Sequence, residues 1–497
     1  MTRVWVRELM GWLAASALAL IVSGQMAASA RSELLFRDGD SLIVALFAQS
    51  SSSGGPSHWA LSSVLFLPET AVFTGLDLLL PFDVNGVLAA SAVVNLLMFY
   101  GALRLVAGRR RSGTSPVTWA LIATAVFGLL AVTETSASRD ALELASLLLT
   151  TTYYSTTVIA VVLSVGLIRR FVAHEKRGAG LLVPLASVAA LATLSNPLFA
   201  VWATIPLIVV LAVLALRPAS RSRMLLSLAV LVGGTAIGFL GRIPFSEWIA
   251  NTGAGYAQPE LWVQSVGYYS HLLGDRLTTP LGVIGTLLTV ALLVFAAIRS
   301  IRVHEPAERV VALAAWVIPV LVVLGAIALG THAARYLQPL AFAPVLALVA
   351  APRALSIPRL RPVFAAIAVM LLAGSVVSIP RLASAAQAPD ADLTCVTGWV
   401  DASGRTGAGQ FWTVRLPKLH LDDPARLVQV DHQLNGYAWL VNRTDFDVGE
   451  VSFLIEDAQT VAWQLPLDVV PDGVVDCGRY RILDFANTPL PLGPQHS

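Results

Sequence analysis

Eleven long apolar stretches dominate this chain, and they leave it little choice of fold. They run over about 10–29, 86–107, 117–134, 154–171, 180–196, 199–216, 224–241, 280–299, 310–330, 337–352 and 363–379. A helix needs about 20 mostly apolar residues to cross the hydrocarbon core of a bilayer. Most of the stretches meet that length. The fifth and tenth are short and carry Pro184 and Pro344, and proline kinks a helix and removes a backbone donor. Charged residues make up 13% of the 497, about half the roughly 25% of ordinary globular proteins. That share excludes a disordered chain, a nucleic-acid binder and a simple cytosolic enzyme. The expected fold class is mostly α, a polytopic membrane helix bundle of about 11 spans.

Charge sorting sets an orientation. With the N-terminus in the cytoplasm, the inner turns hold 19 basic residues and the outer loops six. This is the asymmetry that the positive-inside rule requires. An odd span count then puts the C-terminus outside. The first apolar stretch has a second reading. Ala28-Ser29-Ala30 behind it fits a signal-peptidase site, so cleavage after about residue 30 stands beside an uncleaved first span. We expect the uncleaved span. Only two of the 33 basic residues are lysines, Lys176 and Lys418. Arginine is therefore supplied by coding bias, as in a GC-rich bacterial genome, and one arginine is weak evidence for phosphate binding.

The tail differs in kind. Residues 380–497 carry 23 charges in 118 residues, with short alternating runs such as Arg426–Val430 and Val451–Ile455. Turn signals at Ser403-Gly404, Asn435-Gly436 and Asp472-Gly473 separate them. This reads as a small extracytoplasmic β-rich domain behind a transmembrane domain at 1–379. The two cysteines, Cys395 and Cys477, both fall in it. They exclude a cysteine-ligated zinc or iron–sulfur site, and outside the cytoplasm they are expected to form a disulfide.

Chemistry is sought in the long outer loops, 30–85 and 242–279, because long loops in compact bundles usually carry function. The first contains Asp38-Gly39-Asp40. Two carboxylates so spaced can converge on a divalent cation, or one can act as a general base. The plainer reading is a loop start, with Asp satisfying backbone donors around a Gly turn. His58-Trp59 follows, with Trp59 suited to headgroup depth, and Leu42–Phe47 is expected to lie in the interface. Glu69 sits in an apolar run, either facing a polar cavity or starting a helix after Pro68. The second loop carries Trp248, Tyr256, Trp262, Tyr268, Tyr269, His271 and Arg276 among other polar groups. Such a set suits sugar stacking or an interfacial belt. The turn His332–Tyr336 offers Arg335, which would grip a phosphate, pair with a carboxylate or snorkel to the headgroups.

Taken together these pieces resemble the GT-C class of glycosyltransferases, multi-span enzymes that use polyprenyl-phosphate-linked sugars. The matching residues are Asp38-Gly39-Asp40-Ser41-Leu42, His58-Trp59 with Phe66-Leu67-Pro68-Glu69, Ser195-Asn196-Pro197-Leu198-Phe199, and Arg335-Tyr336-Leu337. The resemblance implies that Asp38 or Asp40 is a base or metal ligand and that Arg335 holds the carrier phosphate. Glu69, His58, Trp59 and Tyr336 would then line the substrate site. It also implies an inner-membrane location, a lipid-linked sugar donor and a cell-envelope glycan acceptor. That acceptor would meet Trp399, Trp412, Tyr437 or Trp439, for which core packing is the plainer role. The chain departs from the pattern at Asn196, where an aspartate is expected, and at Glu69, where relatives tend to carry Asp after Pro. A non-catalytic envelope protein that binds a lipid-linked glycan or scaffolds a partner is the alternative. A transporter ranks third, because the spans lack charges near their middles.

Overall fold

The computed structural model describes residues 4–52, 58–173, 179–354, 361–465 and 469–497. They form two compact units. The first comprises Met1–Leu35, Asn85–Ile243 and Gly255–Ala386, and the second Phe36–Val84, Pro244–Ala254 and Gln387–Ser497.

The first unit is helical. Among the described residues seven helices are long and apolar enough to cross a membrane: Val4–Ala27, Val84–Val106, Ser155–Ala173, Arg221–Leu240, Pro280–Arg302, Pro306–Ala328 and Ala365–Ala386. Four shorter apolar helical stretches lie between them, at Pro116–Val132, Leu182–Ser195, Ala200–Ala215 and Ala334–Ala350. Proline accounts for much of the shortening. Helix Leu182–Ser195 stops at Asn196, which is extended at φ −145°. Pro197 follows it, and a residue before proline is pushed out of the helical region. Pro339 and Pro344 help to divide the last stretch into Ala334–Leu337, Pro339–Phe342 and Leu346–Ala350. Proline also starts helices. Thr279 Oγ1 accepts from Gly282 N at 3.0 Å ahead of Pro280–Arg302, and the Glu305 carboxylate accepts from Glu308 N at 2.8 Å ahead of Pro306–Ala328. Both pair an N-cap side chain with proline at the first helical position.

Small residues set one close crossing. A Cβ placed on Gly234 would lie 2.7 Å from Ala186 O, and one on Gly238 would lie 2.5 Å from Ala190 O. The spacing of four puts both glycines on one face of Arg221–Leu240, where the backbone of Leu182–Ser195 approaches.

The second unit is built on a seven-stranded mixed sheet. Its strands are β1 (Gly407–Gln410), β2 (Leu427–Val430), β3 (Asn435–Tyr437), β4 (Phe453–Glu456), β5 (Gly473–Cys477), β6 (Tyr480–Asp484) and β7 (Gly493–His496). Their spatial order is β7-β3-β2-β1-β4-β6-β5. The central β1 runs parallel to both neighbours, with Ala408 opposite Val428 and Leu454. Side chains alternate across the sheet. Val428, Val430 and Leu454 enter one core, and Leu427, Phe453 and Ile455 enter the other. β1 itself has no alternating apolar pattern. Its glycines leave room for the Phe453 ring and the Val414 side chain.

Two parts of the chain read as outer loops fold into this sheet unit. Trp59–Ala60 pairs antiparallel with Val441–Asn442. Leu61 N donates to Trp248 O at 2.6 Å, and Ala250 N donates to Leu61 O at 2.8 Å. Leu42–Phe47, expected at the membrane interface, is instead fully buried. Trp59 is 3% exposed and packs its ring 5.0 Å from Phe47. It is a core residue of this unit, not a headgroup anchor, because its partners come from distant stretches of the chain.

Cys395 and Cys477 are bonded, with Cα atoms 5.5 Å apart and a sequence separation of 82. The bond ties helix Ala391–Ser403 to the end of edge strand β5. Replacing both cysteines with serine is expected to destabilise the unit by about 2–4 kcal/mol, through the larger conformational freedom of the open unfolded chain. Denaturant unfolding followed by the fluorescence of Trp399, about one helical turn from Cys395, reads the shift. An unchanged midpoint would contradict the assignment.

Candidate functional site

The Asp38–Ser41 segment is a tight turn in the second unit. Ser41 N donates to Asp38 O at 2.8 Å and to Asp38 Oδ1 at 3.3 Å, and Ser41 Oγ lies 3.4 Å from the same Oδ1. Gly39 rests on helix Phe411–Leu419. A Cβ there would stand 3.2 Å from Trp412 Cε3 and 3.3 Å from Arg415 Cγ. Arg415 is 1% exposed, donates to Trp439 O at 3.0 Å and lies 4.4 Å from the centre of the Phe411 ring. Burial pushes its guanidinium down to about 10, and the charge of Asp40 works against that shift. The two aspartates therefore differ in setting. Asp40 offsets a buried cation, and Asp38 holds the turn. Among the described residues no group of three or more His, Cys, Asp or Glu is placed to hold a metal ion.

Glu69 lies in the first turn of helix Leu67–Leu79 and is 4% exposed. An anion there is favoured by the helix dipole. Phe66 before it takes the left-handed conformation, at φ 52°. The His58 side chain is exposed, while its backbone is fixed by Asn442 Oδ1 at 3.2 Å and by Arg443 N at 2.9 Å. Of the tail aromatics, Trp399 stacks edge-on against Phe453 at 5.0 Å and Tyr437 lies 6.3 Å from Phe411.

The same unit holds a charged row. Asp390 caps helix Ala391–Ser403 by accepting from Leu393 N at 3.0 Å, meets Arg479 at 2.6 Å and lies 3.5 Å from Arg37. His420 is near it. Its Nε2 is buried with no hydrogen-bond partner among the described residues. Burial holds its pKa below the ordinary histidine value, against the opposing charges of Asp83 and Asp390. The sign for stability follows. The unfolded chain takes up this proton first, so His420 costs nothing above a pH of about 6.5 and destabilises as pH falls below it. His420→Gln is expected to remove that part of the acid sensitivity. Unfolding midpoints between pH 5 and 8 for both proteins test this, and parallel curves would contradict it.

Arg335 and Tyr336 belong to the first unit, in the turn Ala334–Leu337. The Arg335 guanidinium lies 6.0 Å from the Tyr336 ring centre. Tyr336 O accepts from Trp202 Nε1 at 3.1 Å. Asn196, at the expected aspartate position, donates to Thr157 Oγ1 at 3.0 Å and accepts from Leu198 N. It serves as a neutral connector between helix ends. The residues just before Arg335 are tied to helix Trp262–Leu277. The Tyr269 hydroxyl meets Thr331 Oγ1 at 2.8 Å and donates to Ala333 O at 3.3 Å. Tyr269 also lines a groove of about 270 Å³, whose walls include Leu130, Leu273, Val290 and Leu293 and whose polar end carries Glu134 and Arg276.

Behind that end lies a buried ion network that the sequence reading did not single out. Arg31, 1% exposed, reaches Glu134 at 3.9 Å and Glu143 at 3.8 Å. It also donates to Ser146 Oγ at 2.6 Å, to Glu143 O at 2.8 Å and to the carbonyls of Ser136 and Ser138 at 3.1 and 3.0 Å. Glu134 accepts from Ala145 N and Ser146 N at 2.8 and 2.7 Å, and Arg276 lies 3.8 Å away. A signal was present in the sequence. Glu134 ends an apolar helix, where the dipole disfavours an anion, so it calls for a cationic partner.

Asp38, Asp40, His58, Trp59 and Glu69 thus fall in the second unit, and Arg335 and Tyr336 in the first. The chain matches no protein-family profile and no characterised protein.

Proposed function

We propose that this chain is a glycosyltransferase of the GT-C kind, moving a sugar from a polyprenyl-phosphate carrier to a cell-envelope acceptor on the outer face of the inner membrane. In this reading all eleven apolar helical stretches cross or enter the bilayer, the N-terminus is cytoplasmic and the second unit lies outside. The observation that carries it is the apolar groove beside Tyr269 and its direct tie to the turn bearing Arg335. A groove walled by leucine and valine suits an isoprenoid chain, and an arginine beside the tethered turn suits its phosphate. The GT-C resemblance, and not the groove, nominates Asp38 as the acceptor base, the group that takes the proton of the attacking hydroxyl.

A photoreactive polyprenyl-phosphate analogue in proteoliposomes tests the lipid site. Crosslinks on Leu273, Val290 or Leu293 are expected, lost when Val290→Trp fills the groove. Labelling scattered evenly over the outward faces of Pro280–Arg302 and Ala365–Ala386 would contradict it.

The second reading is a non-catalytic envelope protein that binds a lipid-linked glycan. The setting of Asp40 favours it, since a carboxylate that offsets the buried Arg415 has a structural task. The two readings differ in whether a bound donor is consumed.

A further inference from the structure

Two basic cavities adjoin in the first unit, where helix Val84–Val106 ends and helix Pro116–Val132 begins. One is about 250 Å³ and is lined by Arg109, Arg110, Arg111, Arg169 and Arg170. Glu305 and Glu308 also face it, which leaves an excess of three positive charges among the seven ionisable lining residues. The other is about 310 Å³ and is lined by Arg7, Glu8, Arg104 and the helix start Ser115–Thr118. Arg110 and Thr114 belong to both.

The arginines have distinct tasks. Arg104 is neutralised by Glu8, at 2.5 and 3.0 Å. Arg169 is locked into the floor by the carbonyls of Val106, Val349 and Ala350. Gly108, at φ +79°, turns the chain over that guanidinium, and a Cβ there would touch Arg169 Cζ at 3.4 Å. This turn presents Arg109, Arg110 and Arg111, which are exposed and make no side-chain hydrogen bond or ion pair among the described residues. Orientation in a membrane asks only for loop charge. It does not ask for a buried arginine fixed beneath three open guanidinium forks in a concave site.

We infer that these cavities bind phosphate groups, and that in the membrane the occupant is the headgroup of an anionic phospholipid. Arg110, standing in the shared wall, would bridge the two phosphates of a diphosphatidyl lipid. Apolar surface for its chains is at hand, since Val4, Trp5 and Leu9 are all exposed on the neighbouring helix. Basic pockets between helices at a membrane face are suited to such headgroups. This inference is independent of the transferase reading.

The test uses the full-length protein in detergent, with affinity and melting temperature measured against cardiolipin, phosphatidylglycerol, phosphatidylcholine, inorganic phosphate and pyrophosphate. Cardiolipin is expected to bind tightest and phosphatidylcholine weakest. The triple variant Arg109→Gln, Arg110→Gln, Arg111→Gln should weaken cardiolipin binding about tenfold or more. Arg217→Gln, Arg221→Gln, Arg302→Gln removes the same charge outside both cavities and should leave binding unchanged. Arg169 is spared, because its loss would strand buried carbonyls. Pyrophosphate or phosphate protecting as well as the lipid would uphold the site but assign it to a soluble phosphate compound. Equal losses in the two triple variants, or no preference among the lipids, would overturn the inference.

Discussion

Asparagine in place of Asp38 is expected to lower sugar transfer by roughly 10²–10⁴-fold, the usual worth of a positioned general base. The amide keeps the acceptor oxygen that Ser41 N reaches at 3.3 Å, so the turn and the melting temperature should hold. Asp40→Asn should behave differently. It withdraws charge from beside the buried Arg415, so its activity loss should come with a lower unfolding midpoint of the second unit. Initial rates and melting curves on both variants separate the roles. Wild-type rates in Asp38→Asn would remove that residue from the mechanism and favour the binding-protein reading.

Arg31→Ala should destabilise the first unit strongly, by about 3–5 kcal/mol, because it leaves the buried Glu143 without its cation and Glu134 with Arg276 alone. Arg31 also closes the Ser136–Ser146 segment through the carbonyls of Ser136, Ser138 and Glu143 and through Ser146 Oγ. Arg31→Lys should recover little of the loss, since one ammonium cannot reproduce contacts made through three separate nitrogens. Thermal unfolding in detergent measures both. A change within about 0.5 kcal/mol, the range of ordinary surface substitutions, would contradict this account of the network.

The helices of the first unit were largely legible, because a bilayer-length apolar run is a local signal that needs no knowledge of its partners. Each of the eleven apolar stretches overlaps an apolar helix. Seven of these reach spanning length, and Pro197, Pro339 and Pro344 mark where others stop or break. The reach of the second unit was not legible. Its joining contacts, such as Trp59 against Asn442, bring together residues hundreds of positions apart, and no local pattern announces them. For the same reason Trp59 read as an interfacial anchor. β1, the centre of the sheet, reads Gly-Ala-Gly-Gln and carries no strand signal. Its glycines answer to the bulk of Phe453 and Val414, which lie elsewhere in the chain. Two local signals went unused. Gly234 and Gly238 share the four-residue spacing of close helix crossings, and Glu134 sits at the wrong end of a helix for an unpartnered acid.

Donor turnover tests the central claim most directly. Purified protein in proteoliposomes is given a panel of polyprenyl-phosphate sugars with an envelope glycan fraction, and release of free polyprenyl phosphate is followed. The account predicts that at least one donor is consumed by the wild type, and that consumption falls by roughly 10²-fold or more in Asp38→Asn. A donor that binds in the groove but is never consumed, or that Asp38→Asn consumes at the wild-type rate, would contradict it.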